Sequence, residues 1–164
     1  ITNADGRVFE ETLVEVSIRQ ICPFDDGVDF LGKYTLEQQT PAHGANGGPS
    51  FNTQTVTLVN DGDTDASTRR TFEVRWLEVA GIGQGLMDVS FDLSCNNVVM
   101  DSELDTNLTC GDGPITLGPA ETTGTYDETD DTSFTLILAE YVEDGGCGIS
   151  TPLETEFLLT KVEE

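Results

Sequence analysis

Apolar residues recur at every second position over much of this chain, the period of a β-strand with one buried face. In residues 8–21, Val14, Val16 and Ile18 alternate with Glu15, Ser17 and Arg19, so one face of that segment is apolar and the other polar. Cys22-Pro23 and then Asp25-Asp26-Gly27 end it, because proline lacks a ladder donor and Asp-Gly suits a turn. A second strand is predicted over residues 32–38. Residues 40–50 (TPAHGANGGPS) have no apolar period and form the longest predicted loop, which carries the only histidine, His43.

The pattern returns at Val56 and Leu58. Across the turn Asn60-Asp61-Gly62-Asp63 it continues through Phe72, Val74 and Trp76, which reads as a β-hairpin. The glycines at 81, 83 and 85 break the period as a bend or bulge, and Val89, Phe91 and Leu93 resume it. Short extended pieces at 97–100 and 115–117 flank an acidic, cysteine-bounded stretch. Phe134, Leu136 and Leu138, backed by Ile137 and Ala139, predict a central strand, and Leu153, Thr155, Phe157 and Leu159 the last one. No segment carries a ten-residue helical period. About eight or nine strands at this spacing predict an all-β fold, an antiparallel two-sheet sandwich of immunoglobulin-like or jelly-roll-like type, with residues 1–164 as one domain.

Charge changes that picture. The 164 residues hold 31 Asp plus Glu against 7 Lys plus Arg, a formal net charge of -24. Such a chain repels itself and other polyanions, so nucleic acid and anionic membrane surfaces are excluded as expected partners and the fold calls for screening ions. The balance suits a halophile's surface or an acidic exported protein whose carboxylates bind calcium or face water. No apolar run approaches the ~18 residues of a membrane span. Asn107-Leu108-Thr109 is a glycosylation sequon at Asn107, which fits an exported protein.

Asp61, Asp63 and Asp65 place carboxylates at alternate turn positions, the arrangement that lets them converge on calcium. Ala66 and Phe72 stand where an EF-hand needs its glycine and its bidentate glutamate, so two readings remain: a looser calcium loop or a solvated turn. The acidic runs at 127–131 and 143–144 read either as further cation-binding loops or as charges that blunt strand ends. Cys22, Cys95, Cys110 and Cys147 show no metal-binding spacing and are expected to form two disulfides, with Cys95–Cys110 and Cys22–Cys147 the favoured pairing among three. For catalysis there is no nucleophile elbow, no HExxH, no phosphate loop and no second histidine, so no catalytic residue is assigned. Trp76, Tyr34, Tyr126 and Tyr141 read either as core or as a sugar-stacking face.

The run TVTLVNDGDTDASTRRTFEVRW at 55–76 resembles the opening of immunoglobulin-like surface domains of the CARDB type, where strand, Asn-x-Gly turn, polar stretch and strand follow in order. Leu117-Gly118-Pro119 is similar to the Leu-x-Pro-Gly turn of such domains with Gly and Pro exchanged. The resemblance implies an extracellular binding or structural module. The expected function is a non-catalytic subunit of an extracellular filament, matrix or virion surface, whose segment 1–21, through Val14, Val16 and Ile18, adds a strand to a neighbouring copy. The alternative is a monomeric module binding calcium, a glycan or a protein partner.

Overall fold

The computed structural model describes residues 22, 24–41, 48–60, 68–82, 84–100, 102–111, 113–143, 147–149 and 151–163. Ten strands follow one another: β1 (Gly32–Thr40), β2 (Gln54–Leu58), β3 (Arg69–Val74), β4 (Met87–Ser94), β5 (Asn97–Val99), β6 (Leu104–Cys110), β7 (Gly113–Pro119), β8 (Gly124–Thr125), β9 (Ser133–Glu140) and β10 (Leu153–Lys161). One short 3₁₀ helix, Glu78–Ala80, interrupts them. They form two antiparallel sheets, six-stranded in the order β2-β1-β10-β9-β7-β6 and four-stranded in the order β3-β4-β5-β8. The fold is the expected all-β sandwich, with one or two strands more than the periodicity counted.

The alternating side chains face each other between the sheets. Tyr34, Leu36, Val56, Leu58, Phe134, Leu136, Leu138, Phe157 and Leu159 come from the larger sheet, and Phe72, Val74, Val89, Phe91, Leu93 and Val98 from the smaller. Aromatic rings knit the layers edge to face, with Phe30 and Tyr34 on Phe134 and Phe91 tilted against the same ring at 5.5 Å. The predicted central strand is β9, flanked by β10 and β7.

Two seams close the sandwich at its sides. The residues predicted as a hairpin belong instead to different sheets: β2 pairs with β1, β3 pairs with β4, and only the bridge Val59↔Thr71 joins them. The inward faces of β2 and β3 both point at the common core, which a flat hairpin would prevent. At the other side β8 crosses β9 so closely that a Cβ on Gly124 would lie 2.1 Å from the Thr135 carbonyl oxygen. Only glycine fits there, and Thr125 N donates to Thr135 Oγ1 at 2.8 Å beside it.

Both cysteine pairs differ from the expected connectivity. Cys22 bonds Cys95, and Cys110 bonds Cys147. Cys95 sits in the β4–β5 turn, where Cys95 and Asn96 take positive φ as a two-residue hairpin requires. Cys110 ends β6 in a hairpin that overhangs the opposite end of the sandwich, because Leu117 is already level with Glu140 at the end of β9. A bridge between Cys95 and Cys110 would have to span the length of the molecule. Residues 8–21, including Val14, Val16 and Ile18, and the Asp61, Asp63 and Asp65 turn lie outside the described residues, as does His43.

Candidate functional site

The sandwich has two ends. The first gathers the β4–β5 turn, residues 24–31, the start of β9 and the end of β10. Its chemistry is ionic. Lys161 Nζ binds Asp131 Oδ2 directly and lies 3.7 Å from Asp29 Oδ1, over the Tyr34 ring. Asp131 Oδ2 also accepts from the Phe30 amide at 3.3 Å, and the Asp131 carbonyl accepts from the Tyr34 hydroxyl at 2.8 Å. Burial works against ionisation of Asp131, but the Lys161 ammonium and the amides of residues 29 and 30 outweigh it and hold the carboxyl below its usual range. Burial, with the Asp131 and Asp29 charges added, pushes the Tyr34 hydroxyl up. Buried Arg70 donates to the Asp29 carbonyl at 3.0 Å and to Asn60 Oδ1 at 2.8 Å, and stacks over Phe24. A cleft of about 650 Å³ lined by the charged side chains of Asp29, Lys33, Lys161 and Glu163, with Leu31 and Val162 among them, opens beside this network.

Three of the four carboxylates in the acidic run at 127–131 bond within this architecture. Asp127 Oδ1 accepts from Thr129 N and Oγ1, Asp130 Oδ1 accepts from Thr132 N, and Asp131 holds Lys161. Asp127 and Asp130 shape their own turns, and among the described residues no three His, Cys, Asp or Glu side chains converge as metal ligands.

The second end is closed by one buried carboxylate. Glu140 is the last residue of β9, in phase with Leu136 and Leu138, so its side chain enters the core. Its Oε1 accepts from Thr155 Oγ1 at 2.7 Å and from Ser50 Oγ, and its Oε2 accepts from Trp76 Nε1 at 3.2 Å. Burial drives the Glu140 pKa up, and the three donors recover only part of the shift. Ser50 completes the lock: its amide donates to Gln38 Oε1 and its carbonyl accepts from Leu77 N, both at 2.7 Å. One carboxylate and one serine thus tie β1, β9 and β10 to the chain leaving β3. No solvent reaches Glu140, whose exposure is 0%.

Above this lock lies a cleft of about 500 Å³ with no charged side chain among its described lining residues, between the overhanging β6–β7 hairpin (Leu108, Ile115), the Cys110–Cys147 bridge, and Leu77, Tyr141 and Ile149. Ile82 forms its rim. Leu77 and Tyr141 hold positive φ, 54° and 59°, a conformation costly for non-glycine residues that concentrates at functional sites. Ile82 at that rim is exposed by 55%, and Val79 and Leu86, near it in sequence, by 60% and 50%.

The chain matches no protein-family model, no curated protein and no solved structure.

Asn107 is exposed on the edge strand β6, with φ 59° and the β6–β7 register shifting around it, so a modifying group there would meet no packed neighbour. Of the two readings of Trp76, Tyr34, Tyr126 and Tyr141 the core one holds: all four are buried and packed edge to face on Tyr141, Phe134 and Phe30. Sequence reasoning missed Glu140 and the cleft. A lone acid closing the apolar run FTLILAE was the signal for the first, and Val79 and Ile82 set among glycines for the second.

Proposed function

We propose that this chain is a non-catalytic structural subunit of an extracellular or surface assembly, a filament, matrix or virion coat, that self-associates by β-strand addition in an ion-rich medium. The observation that carries the reading is exposed Ile82 on the rim of a cleft whose described lining has no charged side chain, with exposed Val79 and Leu86 close to it in sequence, on a chain of net charge -24. Exposed apolar surface gathered at one place on an otherwise charged protein marks an interaction site. The outer edge of β6 adds a second element, since no described strand pairs with it and its main-chain groups can take an added strand. Two disulfides agree with an oxidising, extracellular setting. The most deeply buried carboxylate among the described residues, Glu140, is spent on internal hydrogen bonds rather than offered to a substrate.

Self-repulsion makes assembly depend on ions, because a Debye length of about 10 Å at 0.1 M salt shrinks to roughly 3 Å at 1 M. Sedimentation velocity and negative-stain imaging across salt and calcium concentrations test the reading. Monomers at low salt and growing polymers at high salt are expected; monomers in every condition refute it.

A further inference from the structure

We infer that the uncharged cleft receives the apolar stripe Val14, Val16 and Ile18 of a neighbouring copy, so that subunits join head to tail into an open-ended chain rather than a closed dimer. The inference rests on the self-association proposed above and assigns its acceptor and its polarity.

Reach argues that the stripe comes from another copy. Cys22 is pinned to Cys95 at the ionic end, and the cleft lies at the opposite end, beyond Glu140. The eight residues of β9 alone span roughly 24 Å at ~3.3 Å per residue. The links from Ile18 to Cys22 extend to at most about 14 Å, and those from Val16 to about 21 Å. Ile18 and Val16 therefore fall short of the cleft of their own chain, and Val14, within about 29 Å of Cys22 at full extension, reaches little past the end of β9, so the stripe as a whole can fill that cleft only in another copy.

Charge selects the same pair of surfaces. Residues 12–21 (TLVEVSIRQI) hold one acid and one base, a neutral stretch in a strongly anionic chain. Among the described residues the cleft is lined by Leu77, Ile82, Leu108, Ile115, Tyr141 and Ile149 with no ionised group. Two copies otherwise covered in carboxylates meet at least electrostatic cost through these two neutral surfaces. The cleft's volume suits several aliphatic side chains, and Leu77 and Tyr141 in its walls hold positive φ. Because donor and acceptor occupy opposite ends, the interface is heterologous and does not close on itself.

The test uses the full chain with one blocked surface at a time. Val16→Glu disables the donor; Ile82→Glu, at an exposed rim position, disables the acceptor and leaves the core untouched. At a salt concentration where the unaltered protein polymerises, each variant alone is expected to raise the critical concentration at least ~100-fold, because each buries an unpaired carboxylate. Mixed together they are expected to form a 1:1 heterodimer and nothing larger, since one good donor meets one good acceptor. Circular dichroism matching the parent establishes that each variant is folded. Polymerisation of Ile82→Glu at the parental concentration, with Val16→Glu monomeric, overturns this acceptor and leaves strand addition standing. Polymerisation of Val16→Glu overturns strand addition by this segment. Two variants that stay monomeric when mixed overturn the head-to-tail polarity.

Discussion

At the end of the sandwich where Cys22 meets Cys95, Lys161 and Arg70 gather carboxylates and main-chain carbonyls around residues 24–31, whereas at the opposite end one carboxylate, Glu140, is sealed under an uncharged cleft. The ionic end satisfies its charges in contact with water and leaves polar surface behind. The apolar end buries Glu140 and exposes aliphatic side chains beside acidic ones such as Glu78 and Glu143. The difference teaches that the scarce cations of an acidic chain are placed where loops need clamping, so that the remaining neutral surface falls at one place.

The largest expected contrast is between the two disulfides. Replacing Cys22 and Cys95 together by serine removes a crosslink over 73 residues, and replacing Cys110 and Cys147 one over 37. Loop entropy puts the first loss near 4 kcal/mol and the second about 0.6 kcal/mol lower. Urea midpoints of the two double variants check both the size and the order.

Glu140→Ala comes next. It leaves Ser50, Thr155 and Trp76 without their acceptor and opens a cavity, for a loss of about 3 kcal/mol. Glu140→Gln, which keeps an acceptor for two of them, is expected to lose less than half of that in the same urea titration.

Acidity separates the ends by sign. Glu140 has a raised folded pKa, so its contribution is complete below the ordinary carboxylate range and fades as pH rises through the folded value. Asp131 has a lowered one, so its contribution is present above the ordinary range and is lost as pH falls through the folded value. Stability measured against pH is expected to lose its decline on the alkaline side of the carboxylate range in Glu140→Gln and its acid-side decline in Asp131→Asn.

The smallest effect is at Lys161. Lys161→Met removes a partly exposed ion pair worth about 0.5–1 kcal/mol, and the loss shrinks in high salt. Thermal melts at two ionic strengths read it.

Much of this fold was legible. Strands β1, β2, β4, β9 and β10 appear in the sequence because each buries one face, and burial writes itself as alternation at Tyr34 and Leu36, Val89 and Phe91, or Leu136 and Leu138. β6 was not, although Leu104, Thr106, Leu108 and Cys110 alternate, because Thr106 is a buried polar residue and Asp105 and Asn107 read as turn formers. The Asn60-Asp61-Gly62 signal reports local backbone preference, and the crossing from one sheet to the other is decided by core contacts far along the chain. The disulfide pairing failed for the same reason: nearness in sequence stood in for nearness in space, and Cys95 and Cys110 lie at opposite ends. Of the site, the acidic turns were visible and their use in shaping loops was not, because whether a carboxylate faces water, an amide or Lys161 depends on which strands end together.

The two crosslinks follow one another along the chain without overlapping, across separations of 73 and 37 residues. A molecule pulled from outside Cys22 and Cys147 while oxidised can therefore pay out little slack: each bridge replaces its long contour by the ~5 Å between its two Cα atoms. Even fully unravelled, it behaves under tension as a short tether, and reduction would lengthen it several-fold.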